Sequence, residues 1–183
     1  MNLNEIKNHY KILRLKATDC IASFDCGDDD LNDFILNEAP LYRKAMLAVS
    51  YAMTNNETGD AVAFFSLAND RISLSDFEER KDFNRFRRKR FVNEKRLKSY
   101  PAVKICRLGV VTRMQDQQIG RFLLYFIKTY FAEDNKTGCR FLTVDAYADA
   151  VPFYERNGFI PLNEDDKDER TRLMYFDLND IAP

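Results

Sequence analysis

Between Val110 and Leu124 the chain reads VVTRMQDQQIGRFLL, an apolar strand-like run that breaks into a polar loop and passes straight into an apolar helix-like run. A joint of this kind leaves several backbone N–H groups unpaired at the positive end of the helix, where a phosphate or pyrophosphate can be held. Gly120 permits close backbone approach at that point, and Arg121 adds a cation beside it. An ordinary loop in front of a well-capped buried helix would read the same way. Other chemistries find less support. Cys20, Cys26, Cys106 and Cys139 form no C-x-x-C pair, and the lone His9 could not complete a ligand set with them, so no metal site is expected. All four thiols are expected to be buried, and His9 to lie at the surface of a polar N-terminal stretch, which leaves serine–histidine and cysteine–histidine hydrolysis without a base.

The elements that must position the Val110–Leu124 joint can be placed by period. Lys11–Leu15 reads as a short strand, and Asp30–Glu38 as a helix with Leu31, Phe34 and Ile35 on one face and Asp28 to Asp30 at its start. Met46–Met53 and Ala61–Leu67 flank NNETGD and form a hairpin. A charged helical stretch at about 76–98 precedes a strand over Ala102–Val111. A helix opening near Gly120 follows, with its apolar body over Arg121–Phe131. Cys139–Tyr147 is the next strand, and a helix from about Ala148 to Arg156 stops at Asn157-Gly158. Phe159–Leu162 and Arg172–Leu178 close the order as two strands. Strands and helices in this order imply an α/β fold with a mixed sheet covered by helices.

The 183 residues allow one domain, 1–183, with the basic stretch as an insertion; 45% hydrophobic and 13% aromatic content exclude global disorder. A formal net charge of -1 removes any global attraction to polyanions, so a nucleic-acid reading must rest on a local patch. One exists: Glu79–Lys98 carries an excess of seven positive charges, with Phe83, Phe86 and Phe91 interleaved. It reads either as a surface for RNA phosphates or as a solvated amphipathic helix offset by Glu164, Asp165, Asp166, Asp168 and Glu169. The sequence shows no membrane span and no signal-like start, and a cytoplasmic location without a membrane partner is expected.

Two motifs then make the reading specific. Gln115-Asp116-Gln117-Gln118-Ile119-Gly120 follows a strand, and Ala150-Val151-Pro152-Phe153-Tyr154-Glu155-Arg156-Asn157-Gly158-Phe159 follows the next one. In order and spacing they resemble the Q/R-x-x-G-x-G/A and A-x-x-F-Y-x-x-x-G-F motifs of the GNAT superfamily of acyl-CoA-dependent N-acyltransferases. Gln118 stands where that loop has its first glycine. Phe24-Asp25-Cys26-Gly27 with Leu31, Phe34 and Ala39, the run Ala63 to Leu67, and Pro101 to Val110 are similar to GNAT proteins related to aminoacyl-tRNA-acetylating toxins.

The resemblance implies a GNAT fold, a central mixed sheet with splayed parallel strands flanked by helices. It implies acetyl-CoA as cosubstrate, with the pantetheine arm along Leu108, Gly109 and Val110 and the pyrophosphate on Gln115, Asp116, Gln117, Gln118, Ile119, Gly120 and Arg121. Gly109 fits close ligand approach or plain packing. Tyr154 is the implied proton donor to the departing thiolate, since a phenol with a pKa of about 10 stays protonated at neutral pH. Asp145 could take a proton through water or cap the helix after it. The function implied is acetyl transfer to a primary amine. The alternatives are a toxin acting on aminoacyl-tRNA, reached through Arg80 to Lys98 and paired with an antitoxin, and a non-catalytic acyl-CoA-binding module in keeping with Gln118. A homodimer is a further partner expectation.

Overall fold

The computed structural model describes residues 3–163 and 170–181. Its elements are α1 (Leu3–His9), β1 (Tyr10–Arg14), α2 (Asp29–Asp33), α3 (Ala39–Lys44), β2 (Val49–Asn55), β3 (Ala61–Ser73), α4 (Arg80–Arg90), β4 (Ser99–Val110), α5 (Ile119–Ala132), β5 (Phe141–Tyr147), α6 (Val151–Arg156), β6 (Ile160–Pro161) and β7 (Thr171–Asp177). The strands form one mixed sheet in the order β1-β2-β3-β4-β5-β7-β6. β4 and β5 run parallel, and their register spans Ala102↔Phe141 to Lys104↔Thr143. β5 and β7 pair antiparallel along their whole length.

The chain divides into two compact units, residues 1–68 with 105–127 and residues 69–104 with 128–183; β3, β4 and α5 each pass from one into the other. In the first unit the β2–β3 hairpin pairs as its alternating apolar residues require, with Tyr51 and Phe65 stacked at 4.8 Å. Asp28 caps α2 by accepting from the Leu31 N–H at 3.0 Å. The helix expected to end at Glu38 instead continues to Lys44 through a π-turn, in which the Ala39 N–H reaches back to Phe34 O. Pro40 has no N–H with which to resume the regular ladder, and the wider turn spans the gap. α1 lies in the polar N-terminal stretch to which no element was assigned; its fully buried Ile6 anchors it, while His9 is exposed as expected.

In the second unit an aromatic cluster forms the core, with Phe77, Phe83, Phe86, Tyr100, Phe141 and Tyr175 buried together and Phe91 stacked on Tyr100 at 4.1 Å. The phenylalanines interleaved with the basic residues are therefore the means by which α4 is fastened to its own unit. The cysteines depart from expectation in part. Cys26 and Cys139 are buried, Cys106 is half-buried and Cys20 is exposed, all as free thiols.

Candidate active site

The anion-ready joint is built within the first unit. β4 ends at Val110, Val111 donates its N–H to Val62 O at 2.9 Å, and a short 3₁₀ turn over Thr112–Met114 leads into the loop before α5. Two non-glycine residues of that loop are left-handed, Asp116 at φ 59° and Gln118 at φ 68°. Gln118 thus occupies the glycine position of the motif and also takes the backbone conformation that glycine would adopt freely. Phe122 donates its N–H to Gln118 O at 2.9 Å, so Ile119, Gly120 and Arg121 form the first turn of α5, whose N–H groups have no partner within the helix. The exposed Arg121 guanidinium stands beside them. Phe122, Leu123, Leu124 and Ile127 are buried, which holds the helix start in place.

Gln115 uses its side chain differently from the loop that follows it. Its Nε2 donates to Cys26 O at 2.8 Å and to Val110 O at 3.1 Å, so what it can offer an anion is backbone. Gly109 is closely packed: a Cβ there would come within 2.8 Å of the Phe64 ring and 3.4 Å of the Phe24 ring. Leu108 and Val110 on either side are half-buried, and they remain the strand-edge candidates.

The second unit holds Tyr154, Asp145 and the basic segment. Tyr154 sits on α6, 7% exposed, with edge-to-face contacts to Phe153 at 5.2 Å and Phe159 at 5.4 Å. Burial raises its pKa well above the ordinary phenol value, so it is a neutral donor throughout the physiological range. Its position is fixed by the turn that follows. Asn157 and Phe159 both donate N–H groups to Tyr154 O at 3.0 Å, and Gly158 supplies the left-handed residue at φ 78°. Lys128 reaches the same turn, donating to Asn157 O with its Nζ 3.8 Å over the Phe176 ring. Desolvation lowers its pKa to about 8.

Asp145 does not cap α6, which has no side-chain cap, but pairs with Lys104 Nζ from two residues beyond Thr143, the partner of Lys104 in the last rung of the β4–β5 ladder. Thr143, buried beside it, donates to Asp70. The Lys104 and Asp70 partnerships lay outside the sequence reading, because the paired residues are 41 and 73 positions apart.

The basic segment divides into two populations. Arg90 is 19% exposed and lies 3.6 Å from the Asp177 carboxylate, with its guanidinium 4.3 Å over Phe86 and donating to the Tyr175 hydroxyl. Arg140 completes that network at 2.7 Å from Asp177. Arg87 lies over Phe83 and donates to Arg96 O and Leu97 O at 3.3 Å. Arg80, Lys81, Arg85, Arg88, Lys89, Lys95 and Lys98 are exposed. The carboxylates expected to offset this charge at 164–169 lie outside the described residues; among the described ones Asp177 faces Arg90, Glu79 pairs with Lys81 at 2.8 Å and Asp82 with Arg85 at 3.5 Å. Among the described residues no group of three or more His, Cys, Asp and Glu side chains could hold a metal ion, and no helix is long and apolar enough to cross a membrane.

Residues 86–177 match the family model described as an acetyltransferase (GNAT) domain, half of the chain. No curated protein sequence matches the chain significantly. Among solved structures, it is similar to a tyrosine-to-phenylalanine mutant of KacT, with TM-score 0.74, 20% identity, and coverage of 93% of this chain and 96% of that one. It is also similar to AtaT complexed with acetyl-methionyl-tRNAfMet, with TM-score 0.74, 20% identity, and coverage of 94% and 96%. AtaTR bound with acetyl-CoA is a third, with TM-score 0.69, 19% identity, and coverage of 94% and 95%. At these identities the likeness is one of fold.

Proposed function

Because the chain belongs to the GNAT acetyltransferase family, we propose that the amine it acetylates is that of an aminoacyl-tRNA, with the cosubstrate held on Leu108 to Arg121 and Tyr154 as proton donor. The chain is an acetyl-CoA-dependent N-acetyltransferase. The observation that carries this reading is the backbone at 116–121, where two left-handed residues turn the loop into a helix start whose first turn holds the Ile119, Gly120 and Arg121 N–H groups.

Acetyl transfer needs a neutral amine, whose nitrogen attacks the thioester carbonyl. The attacking nitrogen then gives up one proton to solvent, the tetrahedral intermediate collapses to the amide, the C–S bond breaks, and the thiolate takes a proton. Tyr154 is placed in that last step because burial raises the phenol's pKa and keeps its proton in place across the physiological range. The RNA acceptor is supported by the exposed cations of α4, Arg85, Arg88 and Lys89, which share one helix face at spacings of three and four. A neighbour of the same fold has been solved with an acetylated aminoacyl-tRNA, which agrees with this reading.

The test is acetyl transfer from labelled acetyl-CoA to aminoacyl-tRNA, alongside free amines and peptides, combined with calorimetry on Gly120→Trp. The bulky side chain is expected to weaken acetyl-CoA binding at least tenfold, about 1.4 kcal/mol. Unchanged affinity in a folded Gly120→Trp protein would remove the cosubstrate from this loop. Acetylation of peptides or small amines in place of tRNA would remove the acceptor, and acetyl-CoA binding without any turnover would return the chain to a binding module.

A further inference from the structure

We propose that Gln115 is a positioning residue that couples the segment Phe24–Asn32 to the cosubstrate loop, so that acetyl-CoA binding orders both together. The inference rests on the cosubstrate reading of the loop given above. It starts from a count of donors. A glutamine amide carries two N–H groups, and Gln115 delivers both to backbone carbonyls, Cys26 O at 2.8 Å and Val110 O at 3.1 Å. None is left for a phosphate oxygen. The side chain at the head of the phosphate loop is instead a strut between the end of β4 and a segment 89 residues away in sequence.

The strut does not act alone. Thr112 donates its N–H to Asp25 O at 3.0 Å and its hydroxyl to the same oxygen at 3.3 Å. Arg107 Nη2 lies 3.7 Å from Asp30, and its guanidinium is 5.3 Å over the Phe34 ring. Cys26 in turn receives Asn32, whose Oδ1 accepts from the Cys26 N–H at 2.9 Å and from its thiol at 3.2 Å. Gly27, left-handed at φ 81°, passes close to Thr112 and donates its N–H to Asp25 Oδ1 at 2.9 Å. Residues 24–32 are thus fastened to 107–115 by side chains of the latter, with few regular backbone bonds between them.

The loop at 115–118 carries two left-handed residues and few internal bonds, so its conformation is sensitive to what its ends hold. An anion on the amides of Ile119 to Arg121 selects one conformation of that loop, and Gln115 transmits the choice to Cys26. The free energy of such a coupling is reciprocal, so whatever docks on 24–32 also tightens the cosubstrate.

Hydrogen exchange of the intact protein with and without acetyl-CoA tests this, in wild type, in Gln115→Met, which keeps length and loses both donors, and in Gln115→Arg, which supplies donors again. In wild type, acetyl-CoA is expected to slow exchange at residues 112–122 and also at the amides of Cys26, Gly27, Leu31 and Asn32. In Gln115→Met the first protection persists while the second falls at least about fivefold, the low end of ordinary coupling, and Gln115→Arg restores it. Equal protection of the four distant amides in wild type and Gln115→Met overturns the inference while leaving the cosubstrate site intact. A Gln115→Met protein that loses protection in both segments, with Gln115→Arg no better, assigns the residue to folding alone. Absence of protection at 112–122 in wild type fails the cosubstrate reading itself.

Discussion

At the scale of single residues, the two positions that carry most of the proposed chemistry are held by opposite means. Tyr154 is fixed by packing and by the turn that ends α6, so Tyr154→Phe removes one hydroxyl and little else. Turnover is expected to fall between about tenfold and a thousandfold, with acetyl-CoA affinity and melting temperature unchanged, as kinetics and calorimetry on one preparation will show. Because burial raises the phenol's pKa, Tyr154 adds no falling limb to the rate–pH profile up to about pH 10, the unperturbed value. Gln118, by contrast, is held against its own preference. A side chain at φ 68° costs about 1 kcal/mol or more that glycine would not incur, offset in part by the greater freedom of glycine in the unfolded chain. Gln118→Gly is therefore expected to leave stability unchanged or raise it by up to about 1 kcal/mol in denaturant unfolding. A loss of more than that amount would show that the Gln118 side chain makes a contact worth more than the strain.

At the scale of elements, α5 and α6 meet at Lys128, and the meeting has a pH signature. The folded pKa of about 8 lies below the free lysine value of 10.5. Between these values the unfolded chain binds more protons than the native one, so stability rises with pH across that window; the stabilisation is fully present above the unfolded value and is lost as pH falls toward 8. Wild type should gain about 1 to 2 kcal/mol over Lys128→Met between pH 8 and pH 10, and a flat difference would mean that the hydrogen bond to Asn157 O and the Phe176 ring already keep the ammonium charged. The elements themselves were legible to different degrees. The β2–β3 hairpin, β5 and α5 follow from period and turn residues, because each buries one face or nearly all of itself. α1 escaped notice because seven residues, with Ile6 the buried anchor among those whose side chains are described, carry no period. The extension of β3 through Asn69, Asp70 and Arg71 escaped for the related reason that polar residues there answer to distant partners, Asp70 to Thr143. Within the site, the loop and Tyr154 were legible from local motifs. The strut role of Gln115, the packing role of Gly109 and the Lys104–Asp145 pair were not, since each is defined by a residue far away in sequence.

At the scale of the whole molecule, a net charge of -1 conceals an uneven distribution, with seven excess positive charges within Glu79–Lys98. How many of them can meet a polyanion is decided by the fold. Arg90 is engaged by Asp177, Tyr175 and Phe86, and Arg87 by Phe83 and two carbonyls, so reversing the charge at Arg90 would set a second carboxylate against the 4%-exposed Asp177, and reversing it at Arg87 would break contacts that hold α4 to its core. Either change destabilises the packing of α4, so a loss of activity in such a variant would say nothing about RNA. The exposed face is the informative one. Arg85, 67% exposed at its side chain, lies with Arg88 and Lys89 on one side of α4, and exchanging all three for Glu should leave the melting temperature and acetyl-CoA binding close to wild type. If these cations contact phosphates, the slope of log binding constant against log salt for tRNA becomes shallower by about 2 to 3 units, since each lost contact removes roughly 0.7 to 0.9. Acetylation of aminoacyl-tRNA should collapse with it. A wild-type protein whose tRNA affinity is indifferent to salt, or a triple variant that acetylates aminoacyl-tRNA as fast as wild type, would leave α4 as a solvated helix and direct the search for the acceptor to small amines and peptides.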